Sequence, residues 1–137
     1  ARTKLAQAGL PAAHYFLHDL RQPFPPELIR PFDRIVSAYV FHHFELQQKV
    51  AIIAGLMRGQ LKSGGRLVMA DISFPTRADL AIVQKDCGND WAEEPYWIAA
   101  EALPELSALD EQVSYTQVSN CAGIYTLAKQ HDFIKLG

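Results

Sequence analysis

Apolar positions along the chain switch between a helical and a strand-like period, and the switches mark the elements. Ala1, Leu5 and Ala8 fall on one helical face and Gly9 supplies a stop, so residues 1–9 predict the tail of a helix. Residues 13–18 predict a short strand that ends at Asp19. It lies ahead of a segment where Pro23, Pro25, Pro26 and Pro31 disfavour both helix interior and central strand. From Phe32 to Phe41 the run FDRIVSAYVF is nearly continuous and rich in apolar residues, the pattern of a strand covered on both faces. From Glu45 to Lys62 the residues Leu46, Val50, Ile53, Met57 and Leu61 recur at steps of four, three, four and four, which predicts an amphipathic helix. Ser63-Gly64-Gly65 then predicts a sharp turn, and residues 66–72 a second buried strand. Strand, helix, glycine turn and strand make a βαβ unit with parallel pairing and a right-handed crossover.

Residues 76–110 predict two or three helical pieces, broken near Cys87-Gly88-Asn89-Asp90 and again around Pro95 and Pro104. Residues 113–118 and 122–128 read as strands joined by Ser119-Asn120-Cys121, short enough to make them antiparallel neighbours. The expected architecture is one α/β domain over 1–137, with a mainly parallel sheet and a C-terminal antiparallel hairpin. Composition agrees with a globular domain: 137 residues, 49% apolar and 20% charged. A formal net charge of −2 argues against a dedicated nucleic-acid binder. No apolar run approaches the roughly 20 residues that span a bilayer. Neither nucleic acid nor membrane is therefore an expected partner, and the expected location is cytoplasmic. Cys87 and Cys121 form no CxxC pair, so buried free thiols are the expectation.

Ligands of open α/β sheets bind beyond the carboxyl ends of the strands. The residues to weigh are thus Asp19-Leu20, Ser37 through His43, and Asp71 through Phe74. Taken singly, Asp19 could cap a turn, and His42 and His43 could cap the following helix. His14 and His18 point to one face of the predicted strand but stand about 13 Å apart, too far to share a metal ion. His42, His43 and Glu45 lack an HExxH-type spacing, so no metal site is expected. Trp91, Tyr96 and Trp97, with Phe74, suit core packing better than a substrate wall. A nucleophile elbow of the G-x-S-x-G type does not occur.

The order and spacing of these clusters resemble the class I S-adenosylmethionine-dependent methyltransferases. Residues 32–44, FDRIVSAYVFHHF, resemble that family's fourth-strand motif, F-D-x-I-V-S-x-x-x-x-H-H. Residues 61–71, LKSGGRLVMAD, resemble its fifth-strand motif, L-K-x-G-G-x-L-x-x-x-D. His18-Asp19-Leu20 is similar to the adenine-binding turn after the third strand, and the C-terminal hairpin to strands six and seven. The nearest likeness is to small bacterial members whose methyl acceptor is unassigned. The resemblance implies a Rossmann-like sheet and S-adenosylmethionine as cofactor, with a small-molecule methyl acceptor. It implies that Asp19 and Leu20 hold adenine, and that Ser37 and Ala38 bring backbone carbonyls to the cofactor. His42 and His43 then lie beside the transferred methyl. A base is needed only where the acceptor has a proton to lose, and imidazole suits that task near neutrality, so either histidine is a candidate.

The family also carries a glycine-rich turn after its first strand and an acidic residue ending its second. The expectation is that the chain opens past both, so that the first two strands of the order 3-2-1-4-5-7-6 are absent. The 137-residue piece alone is then expected to bind the cofactor poorly. The alternative is a degenerate, non-catalytic fold that binds a partner or dimerises through open sheet edges, and a homo-oligomer is allowed under either reading. A dinucleotide-type enzyme is disfavoured by the antiparallel hairpin.

Overall fold

In the computed structural model, which describes residues 2–9 and 14–131, a single crossover organises the chain. Strand β1 (Phe32–Ala38) leads through the three-residue 3-10 turn Phe41–His43 into helix α2 (Leu46–Gly59), and α2 returns into the long strand β2 (Leu61–Phe74). β1 and β2 pair in parallel, Ile35 against Leu67 and Ser37 against Met69, as the βαβ reading requires. A six-residue helix, α1 (Arg2–Gln7), precedes them. Helix α3 (Arg77–Cys87), the two-residue strand β3 (Trp97–Ile98) and helix α4 (Ala99–Ser107) follow β2. The hairpin β4 (Ser114–Gln117) and β5 (Ala122–Ala128) closes the domain.

The sheet runs β1-β2-β5-β4, with β3 pairing in parallel beside the end of β2. This is the expected order of the family's strands four, five, seven and six. The sheet is mixed, because β2–β5 and β4–β5 are antiparallel. Residues alternate along β5 so that Gly123, Tyr125 and Leu127 are buried, and the partner positions Leu67 and Met69 of β2 complete that layer. Helix α2 covers it with Ile53, Leu56 and Met57, while Leu46 and Val50 pack at its margin. Thr76 and Asp79 form a reciprocal capping box, which starts α3 directly after β2.

Several sequence expectations change. The strand expected over 13–18 does not form; residues 14–19 carry no strand, and Ala13 lies outside the described residues. A strand exists by pairing, and among the described residues the sheet's strands are β1 to β5, none of them in this segment. For the same reason β1 is an outer strand, and it is not covered on both faces: Val36 is 72% exposed. β1 also stops at Ala38. Tyr39 donates its N–H to Ala70 O at 2.9 Å and adopts φ +56°, which swings Val40 and Phe41 out of the sheet. Pro104 does not break α4, which is anchored by buried Ala99, Ala102 and Leu106. Cys87 is exposed and Cys121 half-buried, so the thiols are free but not buried.

The glycine pair makes a bulge inside β2, where a sharp turn ahead of the strand was expected. Phe32 faces Leu61 and Arg34 faces Arg66, so Lys62 to Gly65 are set against the single residue Asp33. Gly64 takes φ +78°, and a Cβ on Gly65 would lie 2.8 Å from Lys62 O and 3.0 Å from Asp33 O. Those are backbone atoms and cannot step aside. Gly65→Ala is expected to cost about 1–3 kcal/mol in urea unfolding. Gly64→Ala, whose nearest neighbour is the movable ring of His131, is expected to cost about 1–2 kcal/mol through its backbone angle. An unchanged urea midpoint in Gly65→Ala would contradict the close approach.

Candidate functional site

At the carboxyl ends of β1 and β2 the left-handed turn at Tyr39 places His42 over Asp71. Asp71 ends the apolar run of β2 and is 1% exposed. Its Oδ1 accepts from His42 Nδ1 at 2.7 Å and from the Ile72 N–H at 2.8 Å. Its Oδ2 accepts from the His42 N–H at 2.8 Å and from the Trp97 indole N–H at 3.1 Å. A carboxylate has about four acceptor positions, and all are filled. Because a carboxylate only accepts, the short contact assigns a proton to His42 Nδ1, which in the neutral form of the ring leaves the lone pair on Nε2. An orienting carboxylate behind an imidazole is the arrangement of a general base.

The two histidines have different surroundings in this geometry. The His42 side chain is 12% exposed, whereas that of His43 is 59% exposed and reaches only to 3.9 Å from Glu94. The rings stand 4.0 Å apart. Tyr96 also stacks on His42, at 6.2 Å, and belongs to an aromatic cluster with Phe74 and Trp91. Burial, with Glu94 and Glu93 nearby, raises the Tyr96 phenol and keeps its proton on. Trp97 and Phe74 are core residues, while Trp91 and Tyr96 are half-buried at the site's margin.

Leu20, Ser37 and Ala38 line one cleft of about 360 Å³, with Val40 and Phe41 leading from it to His42. Ser37 Oγ is buried there and finds no hydrogen-bond partner among the described residues. Asp19 does not join that lining. Its Oδ1 accepts from Arg21 N and Nε at 2.9 and 3.0 Å and its Oδ2 from Arg21 Nη2 at 2.7 Å, which holds the carboxyl down to about 2. His18 Nε2 lies 3.1 Å from Gln22 O.

Lys49 was not singled out by sequence, yet it is buried beneath the site. Its ammonium donates to Pro95 O and lies 5.0 Å over the Trp97 ring. Desolvation pushes it down to about 8, against the opposing pull of Asp71 and Glu45. A signal existed, because Leu46, Lys49, Ile53 and Leu56 follow the i, i+3, i+7 rule of a buried face. Asp71 stood in one of the strand-end clusters; nothing local marks Trp97 as its donor.

No family model matches the chain. Over 58 residues it is 45% identical to an uncharacterized methyltransferase of Anoxybacillus flavithermus, covering 42% of this chain and 26% of that protein. Over 112 residues it is 28% identical to the uncharacterized methyltransferase YrrT of Halobacillus halophilus, covering 76% of this chain and 52% of that protein. Among solved structures it is similar to the S-adenosylmethionine-dependent methyltransferase SibL in its apo form. The TM-score is 0.72 at 14% identity, over 95% of this chain and 40% of that one. The chain thus spans about half or less of the length of these proteins. The fold is that of the Rossmann-like methyltransferases, in agreement with the motif resemblance. Among the described residues no helix is long and apolar enough to cross a membrane.

A lysine that holds its proton less tightly when folded than when unfolded makes the fold more stable as pH rises from about 8 toward the ordinary lysine range. The urea midpoint of the wild-type protein is expected to rise between about pH 7 and pH 9.5 relative to that of Lys49→Met. Parallel pH profiles for the two proteins would show that Lys49 carries no such cost.

Proposed function

We propose that the protein is an S-adenosylmethionine-dependent methyltransferase acting on a small-molecule acceptor that loses a proton on methylation. The observation that carries this reading is the His42–Asp71 pair at the strand ends, beside a cleft containing the unpartnered Ser37 hydroxyl. S-adenosylmethionine, when bound, supplies a sulfonium methyl group open to in-line displacement. Leu20, Ser37 and Ala38 would hold it, since they line one cleft and the Ser37 hydroxyl has no partner among the described residues. Asp19 serves adenine only if Arg21 releases its carboxylate.

His42 Nε2 takes the proton the acceptor must lose, and the imidazolium so formed is stabilised by Asp71 through Nδ1. His43, more exposed and loosely paired with Glu94, contacts the acceptor or solvent without moving a proton. Most of the remaining catalysis comes from holding acceptor and methyl in near-attack geometry. A second reading, a binding or dimerising module, draws on the uncovered flank of β1, where Val36 is 72% exposed.

In the complete protein, His42→Gln is expected to lower the rate of S-adenosylhomocysteine release about 10²–10⁴-fold on a proton-losing acceptor while leaving cofactor affinity within about twofold. His43→Gln is expected to lower it less than about tenfold. Ser37→Ala is expected to weaken S-adenosylmethionine binding in calorimetry. Absence of S-adenosylmethionine binding at millimolar concentration, together with concentration-dependent dimerisation in sedimentation, would favour the module instead.

A further inference from the structure

We propose that Trp97, clamped by Lys49, is a positioning residue that fixes the Asp71 carboxylate so that His42 presents Nε2 as the base; this rests on the base role of His42 given above. The argument begins with Asp71 Oδ2. Of its two donors, one is the backbone of His42 itself and the other is the Trp97 indole N–H at 3.1 Å. On the side away from His42 the carboxylate is therefore held by one side chain. A carboxylate with three donors can rotate about its Cβ–Cγ bond and share its oxygens differently between Nδ1 and the two backbone amides; the fourth donor opposes that rotation.

Trp97 is held in its turn. It is 1% exposed and forms the two-residue strand β3, which pairs with Ser73 and Phe74 just past Asp71. Its ring packs against Phe41, the residue before His42, and against Tyr125 of β5, at centroid distances of 6.2 and 4.5 Å. Above the ring stands the Lys49 ammonium, whose hydrogen bond to Pro95 O ties helix α2 to the segment that delivers Trp97. A cation over the face of an indole draws electron density from the ring and makes its N–H a stronger donor. Lys49 thus supports Trp97 in place and in polarity, without touching the reacting groups.

The groups that face this unit are Asp71 from β2, Glu45 and Lys49 from α2, and Tyr96 and Glu94 from the segment before β3, with His43 beside His42. None of these supplies a side-chain hydrogen bond to Oδ2 in place of the indole.

The test is ¹⁵N NMR of the neutral His42 ring in the complete protein. The wild-type ring is expected to show a single tautomer, protonated at Nδ1. Folded Trp97→Phe is expected to give a mixture in which the Nε2-protonated form is visible, and Lys49→Met a smaller change in the same direction. With it kcat falls about tenfold or more while KM for the acceptor stays within about threefold. A folded Trp97→Phe whose ring keeps the wild-type tautomer pattern overturns the proposal, whatever its rate. If Trp97→Phe does not fold, the wild-type indole ¹⁵N resonance decides. Movement of that resonance in step with His42 protonation supports the link, and a flat response overturns it. If the tautomer shifts as described but His42→Gln methylates normally, the positioning stands and the base assignment fails.

Discussion

The arrangement depends on one buried carboxylate, Asp71, and on the N–H groups that surround it. Asp71 is compensated by four N–H donors drawn from three stretches of chain: the turn after β1, the end of β2, and β3. Hydrogen bonds to a charged group are each worth about 1.5–3 kcal/mol, and removing one donor from a buried charge costs more than the bond's net worth. The carboxylate is thus paid for only when β1, β2 and β3 stand in register. That makes the strand ends a single unit, with the imidazole of His42 as its outward face.

The second constraint is the layer beneath. Helix α2 buries Ile53, Leu56 and Met57 on the β2–β5 pair, and the same face carries Lys49. A lysine in that stripe lowers the fold's stability, and its return is a fixed cation against Trp97 and Pro95 O. Core and site therefore share one helix face, with aliphatic residues toward its C-terminal end and a charge toward its N-terminal end.

What could be read in the sequence follows from how local each signal is. The period of Leu46, Val50, Ile53 and Met57 reports the helix because it arises within one segment, and the strand–helix–strand order then fixes parallel pairing. The paired motifs of residues 32–44 and 61–71 carry the methyltransferase resemblance, and the fold agrees with it. Strandness at 14–19 was not decidable from the segment, because a strand needs an edge and the pattern of 14–19 says nothing of whether one exists. The bulge at Lys62 to Gly65 looked like a turn because Gly64 and Gly65 permit both. His42 and His43 are adjacent and chemically identical in sequence; the pairing of β1 with β2 and the turn at Tyr39 send one to Asp71 and leave the other more exposed. Asp19 shows the reverse, a residue of the right type whose neighbour two positions on, Arg21, occupies it.

The partners of Asp71 also set when the site can come into being. His42 lies 29 positions before it and Trp97 26 positions after it. Both links close long loops, so neither can persist in a chain that has formed only its local helices. During synthesis His42 is made first, then Asp71, and Trp97 last, and the carboxylate stays short of a donor until β3 has emerged and docked. The His42 ring is oriented only at the end of that sequence, so incompletely folded chains would carry the histidine without its orientation.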